Sequence, residues 1–406
     1  MSKPLEGYKV VDLTTFVAAP VCGRLLADLG ARVIKIEHPR GDGWREFGIS
    51  YNARFCDEEN PVFDIYNSGK ELISINLKSK EGKEVFFKLL EDADVFLTNT
   101  RLDALSRLGI AYDDLKDRFP KLVYAMVLGF GETGPEANAP AFDTSAYWTR
   151  SGFLRDMSPL NELYEPISPP SSVGDTVTGY NLLAQIVAAL LGREKSGKGD
   201  FVRAGLYHTG IFTHGTMEII TQKPWGNKFP RDRRTVGPPG GCYRTADDEW
   251  VFIANGQLSV ALPKMLNMIG RPDLIDENGF LDPKYRNAHR GELYDIFKAA
   301  YATKPIDEWV KLGKEYDLPL VRMNHFSDVT TDEQAWANGY LEHMECPNGE
   351  TVTMPASPIK MNSVGTVVTK PAPAVGTHTA SVLAELGYSA EEIAAMDASG
   401  AVFTKK

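Results

Sequence analysis

The chain reads as an α/β protein: a parallel sheet with helices on its faces, followed by a smaller α/β unit. Three observations carry this expectation. Apolar runs of strand length alternate with runs of helical spacing up to about residue 130. A long amphipathic stretch follows at 176–193, and after a polar stretch containing Pro and Gly the alternation resumes at Cys242. Strands that alternate with helices pair in parallel, because each helix carries the chain back across the sheet.

In chain order, residues 9–13 (K-V-V-D-L) form a short apolar strand. Residues 19–29 have helical spacing at Cys22, Leu25, Leu26 and Leu29, with Gly30 as a stop, and 32–37 (R-V-I-K-I-E) alternate as a second strand. A strand is expected at 73–77, a helix at 82–93 leading to a strand at 95–98, and a helix at 112–118 leading to a strand at 122–128. On the 176–193 helix Leu182, Leu183, Ile186, Val187 and Leu190 face inward, and Gly192 with S-G-K-G at 196–199 ends it before a strand at 201–207. From about 210 to 240 the polar composition indicates a linker. A hairpin follows, 242–245 and 250–254 around Asp247-Asp248, then helices at 260–269, 291–301 and 305–316. Thr331-Asp-Glu-Gln334 has the form of a capping box, and 344–354 that of a hairpin around Asn348-Gly349.

The bulk properties bound the function. A length of 406 residues implies more than one core. The net charge of −10 excludes a broad nucleic-acid face without excluding one local basic pocket. Four cysteines (Cys22, Cys56, Cys242, Cys346) lack C-x-x-C spacing and fit reduced thiols of a cytoplasmic protein. Neither a signal core nor a membrane span is indicated, and the seven histidines show no metal-ligand spacing.

Asp175 precedes the long helix in Val173-Gly174-Asp175-Thr-Val-Thr-Gly179. As an N-cap it satisfies orphan backbone donors, worth about 1 kcal/mol. As a nucleophile it gains from a helix end that keeps its carboxylate ionised and aimed, with Gly174 and Gly179 allowing close approach. Spacing alone leaves both open. Gly237-Pro-Pro-Gly240-Gly241 is likewise either a flexible link or a loop that closes over a reactive intermediate. Asn99, Arg107, Lys70 and Lys78 lie near strand and helix ends, where an open sheet receives phosphates; elsewhere such cations are solvated surface charge. Phe16-Val17-Ala18-Ala19-Pro20 stands where a nicotinamide enzyme would carry G-x-G-x-x-G.

Several segments together resemble the class III CoA-transferase family, the formyl-CoA and carnitine type. They are P-L-E-G-Y-K-V-V-D-L at 4–13, A-A-P at 18–20 with L-L-A-D-L-G-A-R-V-I-K-I-E at 25–37, Asn76-Leu77-Lys78, and Ala93-Asp94-Val95 through Asn99. Arg107-Leu108-Gly109, G-F-G-E-T-G-P at 129–135, the Gly174-Asp175 helix ending E-K-S-G-K-G, and Gly376-Thr377-His378-Thr379 complete the set. The resemblance implies a Rossmann-like large domain built from both chain ends (1–209 and 326–406), a linker at 210–240, a small α/β domain at 241–325, and two subunits interlocked as a homodimer. It places Asp175 on the catalytic aspartate, Gly240 and Gly241 near the mobile glycine loop, and Ala18, Lys70, Asn99, Arg107 and Leu108 on contacts to coenzyme A. Coenzyme A and acyl-CoA are then substrates, with no permanently bound cofactor, no metal, and no nucleic-acid or membrane partner.

Oxalate-using members carry Gln where Val17 stands and Arg where His38 stands. Phe16, Tyr147 and Trp148 offer apolar walls instead. T-D-E-Q-A-W-A-N at 331–338 and F-D-T-S-A-Y-W at 142–148 resemble the subgroup that moves CoA between a 2-hydroxy acid, such as 2-hydroxyisocaproate or phenyllactate, and its enoyl or saturated counterpart. The alternatives are a 2-methylacyl-CoA racemase, which needs a His where Phe142 precedes Asp143, and a non-catalytic acyl-CoA-binding protein.

Overall fold

The structure, a computed structural model, describes residues 2–52, 59–157, 169–170, 172–223, 225–234 and 237–405. Cys56 lies outside the described residues. The chain divides into a large unit (Met1–Phe153, Ser168–Ile219 and Glu333–Lys406) and a small unit (Leu154–Ile167 and Ile220–Asp332).

The large unit is built on β1 (Lys9–Leu13), α1 (Ala18–Asp28), β2 (Arg32–Glu37), α2 (Pro61–Asn67), β3 (Glu71–Ile75), α3 (Lys80–Leu90), β4 (Val95–Thr98), α4 (Leu102–Leu108), α5 (Tyr112–Leu115), β5 (Val123–Leu128), α7 (Val173–Ser196), β6 (Phe201–Gly205) and most of α8 (Leu206–Thr221), while α6 (Phe153–Met157) falls almost wholly in the small unit. The six strands pair in parallel in the order β3-β2-β1-β4-β5-β6, the doubly wound order. The β12 strand (Val402–Phe403) adds an antiparallel edge on β3, Val402 opposite Ile75. Chain reversal between β1 and β4 opens the crevice where such sheets bind ligands.

The strands are apolar on both faces because both are covered. On one face Val11, Ile34, Ile73, Phe96 and Tyr124 meet Val85, Phe86 and Leu89 of α3, with Val382, Leu383, Ile393 and Met396 from the C-terminal helices. Each such side chain contributes about 1.5–3 kcal/mol when buried. Leu182, Ile186 and Leu190 of α7 are buried at helical spacing, and α1 packs closely along that helix. A Cβ on Gly179 would stand 2.6 Å from the Ala18 carbonyl oxygen, so glycine there serves helix-to-helix approach. The helix ends at Gly197 with φ 68°, and Arg193 ties its last turn to Asp94 at 2.7 Å.

Where the composition of 210 onward indicates a linker, α8 continues to Thr221. Gly210 lies where a Cβ would be 2.8 Å from the Tyr147 carbonyl oxygen, so glycine there permits close packing within the helix. In the small unit β7 (Gly241–Arg244), β8 (Trp250–Ile253) and β9 (Leu320–Arg322) form an antiparallel sheet. Its core joins Tyr243, Val251 and Ile253 to Leu262, Leu266, Phe297 and Trp309 from three helices, Leu258–Met268, Arg290–Tyr301 and Ile306–Glu315. Back in the large unit, β10 (Leu341–Glu345) and β11 (Thr351–Pro355) make the hairpin expected around Asn348-Gly349.

Candidate active site

The loops leaving β1 and β4 face each other across the crevice and are tied together. Asn99 accepts from the Thr15 backbone N–H at 3.0 Å and donates to the Thr15 carbonyl at 2.7 Å. Beneath them the fully buried Lys35 ammonium donates to the Thr14 carbonyl at 2.7 Å and to Asp42 at 3.0 Å. The other oxygen of Asp42 accepts from the Phe16 N–H at 3.0 Å. These bonds hold Phe16 at φ 63°, a conformation costly for a bulky residue. Its ring is 37% exposed and meets Trp44 and Phe142 edge-on, with centroids 6.5 and 5.4 Å apart.

Phe142 leads into a π-helical segment, Asp143–Arg150, a winding that recurs at functional sites. It turns Asp143, Tyr147 and Trp148 inward against the start of α7. That start lacks a cap of its own: Ser172 sits at the N-cap with φ 78° and makes no side-chain cap bond. Asp143 supplies the cap from outside, accepting from the Gly174 N–H at 3.1 Å, with the Ser172 and Val173 N–H groups also facing it. A Cβ on Gly174 would stand 2.2 Å from the Tyr147 ring and 2.4 Å from Asp143 Oδ1. Gly174 therefore admits the protein's own capping carboxylate.

Asp175 is thus the third residue of α7 rather than its cap, half-buried beside a second carboxylate. Burial, then the charge of Asp143, pushes its carboxyl up to about 7. Burial pushes Asp143 up to about 6 against the backbone donors that hold it down. The expectation that the helix end keeps Asp175 ionised is corrected: desolvation and a like charge outweigh a favourable dipole. The phenol of Tyr66, raised by burial, lies close enough to feel both carboxylates and Ser172.

The other expected residues divide. The Lys70 ammonium is buried on Asp12 Oδ2, the Pro20 carbonyl and Asn67 Oδ1, each at 3.0 Å. Its three protons are spent there, so it is a structural cation and not a phosphate ligand. Val17 is 1% exposed, packed with Leu25, Trp44 and Phe63. Ala18, Tyr147 and Trp148 are also buried. Trp148, Phe153 and His214 stack, with successive centroids 4.9 and 3.7 Å apart. Tyr147 and Trp148 therefore support α7 from behind. Asn99 spends its amide on Thr15. Arg107 is exposed at the end of α4, while Leu108 packs on the core.

His38 is exposed where β2 ends, accepting from the Arg40 N–H at 3.1 Å. Partial burial, then Arg40 and Lys78, hold its imidazole below the usual range. Lys78, not Lys70, is the exposed lysine at this corner.

Gly240 and Gly241 belong to the small unit. Their loop is pinned: the Gly240 N–H donates to the Gly237 carbonyl at 3.1 Å, Tyr243 Oη to the Pro239 carbonyl at 2.8 Å, and Asn255 Nδ2 to the Gly237 carbonyl at 2.6 Å. A Cβ on Gly240 would lie 2.4 Å from Asn255 Oδ1, and Gly241 has φ 127°. Both glycines answer to close packing and backbone sign as much as to mobility.

Asp143 is the residue sequence reasoning passes over as a functional group. Its signal was position only, one residue past the missing racemase histidine.

The fold and this site define an enzyme of the doubly wound α/β class, with two adjacent carboxylates at the start of a long helix. Residues 5–379 match CoA-transferase family III, and the chain belongs to that family and is a CoA-transferase. It is 39% identical over 96% of its length to the (R)-2-hydroxy-4-methylpentanoate CoA-transferase of Clostridioides difficile, covering 97% of that protein. It is 34% identical over 99% of its length to the cinnamoyl-CoA:phenyllactate CoA-transferase of Clostridium sporogenes, covering 98% of it. The crystal structure of Rv3272 from Mycobacterium tuberculosis matches 94% of this chain and 99% of its own, at TM-score 0.81 and 28% identity.

Proposed function

We propose that this CoA-transferase moves CoA between an acyl-CoA and a free 2-hydroxy acid, or its enoyl or saturated counterpart, with Asp175 as the covalent carrier. The observation that carries the proposal is the Asp175 carboxylate, half-buried at the first turn of α7, raised to about 7, and backed by Asp143. A carboxylate of ordinary basicity is a weak nucleophile; one that titrates near neutrality attacks better and is still ionised in useful amount.

The Asp175 carboxylate adds to the thioester carbonyl, and the CoA thiolate leaves, giving an acyl-aspartyl anhydride. The thiolate then attacks the aspartyl carbonyl, releasing the donor acid and leaving an aspartyl-CoA thioester. The acceptor carboxylate attacks that thioester, the thiolate leaves again, and its attack on the acceptor's carbonyl frees the new acyl-CoA and restores Asp175. No water and no net proton enter, so the thioester's energy is conserved if water is excluded. Exposed Arg40 and Lys78 near the ends of the parallel strands, with Arg107, supply positive charge suited to the phosphates of CoA, and they hold the neighbouring His38 neutral. Phe16, Trp44 and Phe142 supply an aromatic wall.

The relatives named for 2-hydroxy-4-methylpentanoate and phenyllactate support acids with branched or phenyl tails. We also propose an interlocked homodimer in the cytoplasm. Leu191 on α7 and Phe212, Met217 and Ile219 on α8 are exposed apolar side chains that a second copy would cover. The activity is tested by offering equal oxalate, 2-hydroxyisocaproate and phenyllactate with an acyl-CoA donor and identifying the CoA esters formed. Esters of the two 2-hydroxy acids are expected to exceed oxalyl-CoA by about 100-fold, since an unpaired buried charge costs several kcal/mol. Oxalyl-CoA as the main product, or no exchange at all, overturns the proposal.

A further inference from the structure

Resting on that transfer chemistry, we infer that the uncharged tail of the acyl group is held in a cleft of the large unit between α1, α2 and α7, entered past Tyr66. The cleft encloses about 260 Å³, room for a tail rather than for a nucleotide. Tyr66 and Thr176 form its near end. Thr176 follows Asp175 in the chain, so their Cα atoms are about 3.8 Å apart. The Tyr66 phenol feels the charge of Asp175. An acyl chain joined to Asp175 as the anhydride therefore starts one residue from the mouth.

The walls are Val21 and Leu25 of α1, Ile65 of α2, and Ala356 beyond β11. The far end is polar, and its groups satisfy one another. Arg24 Nε donates to Asp28 Oδ1 at 2.8 Å, Ser357 Oγ donates to Asp28 Oδ2 at 2.6 Å, and Arg24 Nη2 donates to Thr369 Oγ1 at 3.2 Å. A closed set of this kind offers a second carboxylate no unpaired cation. It fits a branched aliphatic or phenyl tail and disfavours a dicarboxylate, because an ion placed there would lose its hydration without a partner. The cleft, more than the buried Val17, then sets which acids are carried.

Filling the cleft tests this. Ala356→Phe places a ring in it while leaving the backbone bond from the Ala356 N–H to the Tyr340 carbonyl intact. Each methylene kept out of the cleft lowers kcat/KM about fourfold. The variant should lose about 100-fold with 4-methylpentanoyl-CoA and stay within about twofold with acetyl-CoA. Ile65→Ala, which enlarges the same cleft, should shift preference several-fold toward a phenyl tail and keeps the test decisive if the Phe variant folds poorly. Calorimetric binding of both acyl-CoA esters to each variant gives the selectivity without turnover. Equal loss for short and long chains, no loss, or a change only in oligomeric mass overturns the cleft assignment while leaving transfer intact. Absent transfer in the wild type with chain-length selectivity retained in binding overturns the proposed function and leaves the cleft.

Discussion

Replacing Asp175 with Asn should make the protein more stable and nearly inactive, and the size of both effects follows from the burial of one carboxyl. Its pKa rises from 3.8 to about 7 in the folded protein, through desolvation first and Asp143 second. For an acid raised on folding, the folded state holds the proton more tightly. The penalty is therefore absent below about pH 4, grows through the window between 3.8 and about 7, and is complete above it. Three pKa units correspond to about 4 kcal/mol. Because part of the side chain stays in solvent, screening reduces this to about 2 kcal/mol. Asn cannot ionise and avoids that penalty, so thermal melting should show the variant about 2 °C more stable at pH 8 and nearly matched to the wild type at pH 3.5. Acyl exchange should fall by at least about 1,000-fold, some 4 kcal/mol of barrier, since the amide cannot form the anhydride. An Asn variant less stable than the wild type at pH 8 would refute the burial argument. A well-folded one with wild-type exchange would refute covalent catalysis at Asp175.

Three further outcomes are expected. Activity should be lost as pH falls through about 7, and Asp143→Asn, which keeps an oxygen for the Gly174 N–H but removes the like charge, should move that limb of the kcat/KM profile down by up to about one unit; an unmoved limb means the two carboxylates do not interact. Lys70→Met should leave Asp12 buried and unpaired, costing about 3–5 kcal/mol in denaturant melts. Lys78→Ala should instead raise KM for acyl-CoA with little change in melting, and the reverse pattern would restore Lys70 as the phosphate ligand. Gly240→Ala forces a Cβ into Asn255 and should lower transfer while raising the share of thioester hydrolysis; unchanged rate and hydrolysis would make the loop a simple connection.

The alternation of 9–13, 19–29 and 32–37 sufficed for the parallel sheet, because period and length are local properties that burial on both faces imposes on every strand. Asp175 as a candidate was also legible, since a motif keeps its spacing whatever surrounds it. The state of that carboxyl was not. Sequence places it at a helix start, where a dipole favours the ion. The structure adds burial and Asp143, 32 positions earlier in the chain, and reverses the sign. Lys70 and Val17 fail for the same reason: nothing local tells a lysine that ends at a phosphate from one that ends on Asp12, or an exposed valine from one beneath Trp44. The sequence by itself determined the class of fold and the family, and singled out the carboxylate proposed as the nucleophile. Only the tertiary structure decided which charges are spent inside the protein, because desolvation and pairing depend on residues that meet only when the chain is folded.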